Sequence, residues 1–149
     1  MLTYLLIIFV IALALAPLAH FVPSKRQREV ARMREYAAVN GLFVEFRSPP
    51  VVPGVSPEPG GPVIYYGRRL AGNRVERVSA GKWIRGEEGW RGVDRRSTVP
   101  PQLLNLPSDI LAASVDRASC GVYWTEASGE PTVRHIEQVL AQWSEELLC

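Results

Sequence analysis

The chain has 149 residues, 47% of them hydrophobic and 21% charged, enough for one modest core and too few for two. Its formal net charge of +2 is unevenly placed, because five of its 17 basic residues (Lys25, Arg26, Arg28, Arg32 and Arg34) crowd one short segment and leave the rest near neutral. A nucleic-acid binder carries its basic charge on the folded domain, so the expected partners are a membrane lipid and a protein, with no nucleic acid.

Leu2 to Val22 contains no charged side chain and holds six Leu, three Ile, two Phe and two Val. As a helix rising about 1.5 Å per residue, such a run spans roughly 30 Å, the thickness of a bilayer's hydrocarbon core. Each of these side chains favours insertion by about 0.3–0.6 kcal/mol at mid-helix. Residues 1–22 are therefore expected to form a transmembrane helix, with His20 and Phe21 at the interface. A cleaved secretion signal is the competing reading; it calls for a positive segment ahead of the apolar run, where only the Met1 amino group stands. All nearby Lys and Arg follow the run, and positive flanks stay in the cytoplasm. The expected topology is a short N-terminus outside and a cytoplasmic C-terminal domain. Cys120 and Cys149 would be free thiols in that reducing compartment.

Residues 23–41 read as a basic juxtamembrane helix. Ser24 and Gln27 have the spacing of a capping box, Val30, Met33 and Ala37 share one face, and Gly41 suits the residue after the helix end. Its outward basic residues Lys25, Arg26, Arg28 and Arg32 are candidates for contact with anionic lipid headgroups, against the plainer reading of a solvated face that obeys the topology rule.

Residues 42–149 are expected to form one α+β domain. Leu42, Val44 and Phe46 alternate, as in a strand. Residues 48–62 contain six Pro and three Gly and read as a stiff spacer with polyproline II character, without a packed core. Val63 to Arg68 is β-branched and aromatic, hence a second strand. Lys82 to Val93 reads as a hairpin turning between Gly86 and Gly89, and Ile110–Val115 with Cys120–Glu126 as another. A short helical turn is expected around Leu103 and Leu104. Pro131 opens a last helix whose Val133, Ile136, Val139, Leu140, Trp143 and Leu147 form one stripe. The expected architecture is a small antiparallel sheet of hairpins, covered on one face, with the C-terminal helix packed on it.

Signals of catalysis are sparse. Cys120 and His135 are conceivable as nucleophile and base, but nothing local depresses the thiol pKa, and a structural or surface role suits each better. Two Cys and one usable His give no metal-ligand spacing, and Glu87-Glu88 read as solvated turn residues. The Gly60-Gly61 step is flanked by prolines that lack the N–H donors a phosphate cradle needs. No cofactor and no catalytic residue is expected. The segment from Lys82 to Arg96 stands out, interleaving Trp83 and Trp90 with Arg85, Arg91, Arg95 and Arg96. Trp and Arg dominate interaction hot spots, so these six are candidate partner-binding residues, against a hairpin whose Trp rings are simply structural.

An N-terminal span, then the exit PSKRQREVARMRE leading into GLFVEF, resembles the small single-pass accessory subunit of the bacterial preprotein translocase. The resemblance covers about the first third of the chain; the Pro-rich loop, the further hairpins and the last helix depart from that family. It implies a bacterial inner-membrane location and a non-enzymatic accessory role, and it carries over no site residues. The expectation is a membrane-anchored accessory or adaptor protein. A membrane-surface lipid-binding module and a membrane-tethered enzyme are the alternatives.

Overall fold

The computed structural model describes residues 1–55 and 59–149. Leu2–Ala19 forms α1, an 18-residue helix long and apolar enough to cross a membrane. None of its residues is buried. The His20 and Phe21 amides bond back to the Pro17 and Leu18 carbonyls at 3.2 Å each, so the helix closes just short of the full apolar run.

Ser24 starts α2 (Lys25–Val39) with a complete capping box. Its hydroxyl accepts from the Gln27 amide at 3.2 Å, and the Gln27 side chain accepts from the Ser24 amide at 2.9 Å. A cap of this kind contributes about 1 kcal/mol. Met33 and Ala37 are fully buried and Val30 packs beside them, as their spacing predicts. Gly41, at φ 81°, turns the chain out of the helix through the left-handed region.

The strands are β1 (Leu42–Glu45), β2 (Ile64–Arg69), β3 (Gly81–Gly86), β4 (Gly89–Gly92), β5 (Ile110–Val115) and β6 (Ser119–Trp124). They form one antiparallel sheet in the order β1-β2-β6-β5-β3-β4. Both expected hairpins are present, with Gly86 opposite Gly89 and Val115 opposite Cys120. Their arrangement is not sequential. β2 pairs with β6 along its whole length, and β3–β4 is added beyond β5 at the far edge. Short 3-10 turns occupy Val75–Arg77 and Pro101–Asn105, the second where a helical turn is expected.

Helix α3 (Glu130–Leu148) lies against one sheet face. Val133, Ile136, Val139, Leu140 and Trp143 are buried there with Tyr66, Val122, Trp124, Ile110 and Trp83. The rings meet edge-on: Tyr66 with Trp124 at 5.3 Å, and Trp83 with Trp143 at 5.8 Å. Such pairs add about 0.5–1.5 kcal/mol beyond their burial.

The other face departs from the expectation of a sheet covered on one side. Tyr65, Ile84, Ala112 and Tyr123 form a second buried cluster, and Val52, Val55 and Val63 of the Pro-rich stretch pack on it with Phe43 and Val93. The stretch is therefore a cover as well as a spacer, although its residues 56–58 lie outside those described. Prolines pre-set φ, so a stiff chain loses little freedom on docking, and the valines between them supply apolar surface. Glycines make this face compact. Tyr65 lies across Gly67 and Gly121, where an added Cβ would stand 2.5 and 2.4 Å from its ring atoms.

Candidate functional site

The β3–β4 hairpin sorts its Trp and Arg side chains by strand alternation. Trp83 turns inward: it is 6% exposed, its Nε1 donates to the Thr98 carbonyl at 3.0 Å, and it lies across Gly81. Arg85 and Trp90 are cross-strand partners on the same sheet face. The Arg85 guanidinium sits 5.5 Å from the Trp90 ring centroid and donates to the Pro107 carbonyl at 2.5 Å. Arg91, opposite Ile84, is exposed on the other face. Arg95 and Arg96 are exposed on the turn after β4, which folds back so that Ser97 and Asp94 carbonyls lie against Gly92.

Three of the six candidate partner-binding residues, Arg85, Trp90 and Arg91, line one open cleft with a volume of about 970 Å³. Trp83 belongs to the core, and Arg95 and Arg96 do not line the cleft. Val55, Glu87, Glu88, Ser108 and Leu111 complete much of its wall. Leu111 is there because the β5–β6 register slips between Ile110 and Ala112. The cleft joins two guanidiniums, two carboxylates and an indole whose Nε1 is buried without a hydrogen-bond partner among the described residues.

A second polar cluster was not visible in the sequence. Glu126, 4% exposed, adopts φ 56°, a left-handed conformation unusual outside glycine. Its carboxylate accepts two bonds from Arg34, each 2.8 Å, and one from the Tyr66 hydroxyl at 2.7 Å. Its backbone carbonyl accepts from Arg26. The Glu126 hydrogen bond raises the Arg34 pKa against the opposing effect of burial, while burial and the adjacent carboxylate push the Tyr66 phenol well above its usual range. Two arginines of α2 are thus fastened to the end of β6. The side chains responsible lie 92 and 100 positions from Glu126, beyond the reach of any local motif.

This fastening divides the candidate lipid-contacting residues. Arg26 is turned toward Glu126 and also pairs with Glu29 at 3.6 Å, whereas Lys25, Arg28 and Arg32 are exposed and form no ion pair among the described residues. Cys120 is fully buried and its thiol is pushed up to about 12 by burial, while His135 is exposed on α3. Cys149 is exposed at the end of the chain. Among the described residues no group of three or more His, Cys, Asp or Glu side chains could hold a metal ion. The chain matches no protein-family model, no curated protein and no solved structure.

Proposed function

We propose that this protein is a single-pass membrane adaptor: α1 anchors it, the α+β domain lies in the cytoplasm, and the β3–β4 cleft receives a segment of a partner protein in a membrane complex. The observation that carries the reading is α1 itself, an apolar helix with no buried residue that is followed at once by a basic helix. An apolar surface of that size needs a covering, and a bilayer is the covering that its length fits. The basic segment then fixes the domain on the cytoplasmic side by charge asymmetry. The role is non-enzymatic and accessory, as the resemblance of the first third to a translocase subunit implies, and the membrane is the bacterial inner membrane on the same ground.

Two measurements test it. A C-terminal reporter active only in the cytoplasm should be active, and the full-length chain should remain in membranes through an alkaline wash. Activity from an export-only reporter, or a mature chain beginning after Ala14, refutes the topology. A photo-crosslinking residue at Arg91 should capture a discrete protein in native membranes, and Arg85→Ala should abolish that capture at a temperature where the domain remains folded. Capture that survives Arg85→Ala undiminished removes the cleft from the reading and leaves the anchor standing.

A further inference from the structure

Lys25, Arg28, Arg32, Glu35 and Val39 are all exposed, and their steps of three and four place them on one stripe of α2. The opposite stripe holds Val30, Met33 and Ala37, which pack into the domain. Arg26 and Arg34 also turn inward, to Glu126. The five basic residues of this segment are therefore split by the fold: two brace the helix against the domain, and three point away from it unpaired among the described residues. Only residues 20–24 separate α1 from α2. At about 3.5 Å per residue, the six steps from Ala19 to Lys25 keep the start of the stripe within roughly 21 Å of the end of α1.

We propose that α2 lies along the leaflet surface on the Lys25–Arg28–Arg32 stripe, with the three cations on the phosphates of anionic phospholipid headgroups. The Arg34–Glu126 brace then holds the sheet on the far side of the helix. The proposal rests on the reading of α1 as a membrane anchor. Charge complementarity and continuity with that anchor select the occupant: three exposed cations at helical spacing meet a surface of negative charge that the preceding helix already brings within reach. Arg32 decides the geometry. It is about 10 Å along the helix axis from Lys25, roughly one screening length at 0.1 M salt, so a helix standing on end would leave it largely out of the field of the lipid. A helix lying flat engages all three.

The test uses the full chain with Cys149→Ser and Glu35→Cys, so that a fluorescent probe reports from the stripe while buried Cys120 stays unlabelled. The protein is reconstituted in vesicles of phosphatidylcholine alone or with phosphatidylglycerol, each containing a lipid with a quencher on its headgroup. Quenching at position 35 should be several-fold stronger in the anionic vesicles. It should fall to the neutral level in about 1 M salt, where screening shortens to about 3 Å. Each cation contributes about fivefold to the docked population, so K25Q/R28Q/R32Q should lower it by more than tenfold. Arg77→Gln with Arg117→Gln, exposed cations elsewhere on the domain, should leave it unchanged. Equal quenching in both vesicle types, or indifference to the triple substitution, overturns the flat helix while the anchor stands. Release of the chain by an alkaline wash refutes the anchor itself, and the stripe with it.

Discussion

Glu126→Gln is the most informative single substitution, because it removes a charge and keeps the shape of the side chain. Three donors converge on the carboxylate: two Arg34 nitrogens at 2.8 Å each and the Tyr66 hydroxyl at 2.7 Å. The glutamine oxygen can retain the Tyr66 bond, but its NH2 group then faces an Arg34 nitrogen, and donor meets donor. One charge-assisted bond is lost outright, about 1.5–3 kcal/mol. Removing one partner of a fully buried ion pair costs about 3–5 kcal/mol, but the Arg34 side chain is 35% exposed and recovers part of its hydration. The expected loss is about 2–3 kcal/mol, a fall in melting temperature of roughly 6–12 °C for a domain of this size. The loss should appear first as faster hydrogen exchange in α2, since the brace joins that helix to β6. Arg34→Met alone should also destabilise, whereas Arg34→Met with Glu126→Gln should be milder than the sum, with a coupling energy of about 1 kcal/mol or more. Urea unfolding of the four proteins in detergent gives the cycle. A single-mutant loss below about 0.5 kcal/mol, with no coupling, refutes the brace.

Trp143→Ala removes a ring that is 2% exposed and meets Trp83 edge-on, so stability should fall by about 3–5 kcal/mol; a loss below about 1 kcal/mol in the same unfolding assay would place the ring outside the core. A thiol reagent at neutral pH should label Cys149 alone, as read by mass spectrometry, and reach Cys120 only on unfolding, because burial holds that thiol protonated up to about 12. Alkaline pH should destabilise the fold. Cys120 and the Tyr65 phenol are both pushed up to about 12, chiefly by burial, from ordinary values of 9.0 and 10.0. The unfolded chain therefore binds fewer protons than the fold from about pH 9 to 12, and stability falls through that window, by at most about 1.4 kcal/mol per pH unit per group. Unfolding free energies that stay flat up to pH 11 would contradict the burial of both groups.

The sequence by itself determined the elements whose signals are local. Leu2–Ala19 is legible because an uninterrupted apolar run has one helical reading, and α2 because its cap, its apolar stripe and Gly41 lie within hydrogen-bonding reach along the chain. The stripe of α3 and the Gly-bounded turn of β3–β4 are legible for the same reason. Only the tertiary structure decided how strands pair across long separations. Nothing local says that β2 lies beside β6, or that β3–β4 attaches beyond β5, because the alternating pattern of a strand defines its faces and not its neighbours. The same holds for the second sheet face. Val52 and Val55 look like spacer residues until Tyr65 and Tyr123 are brought beneath them. Trp83 and Trp90 carry equal weight in the sequence and share one sheet face, yet Trp83 is enclosed against Trp143 while Trp90 packs partly buried at the margin of the same core and lines the cleft. Five basic residues after an apolar run read as one charge cluster. Folding brings Glu126 up against two of them, its backbone carbonyl accepting from Arg26 and its carboxylate from Arg34, because a residue placed on one side of a helix can reach only the side chains that share that face.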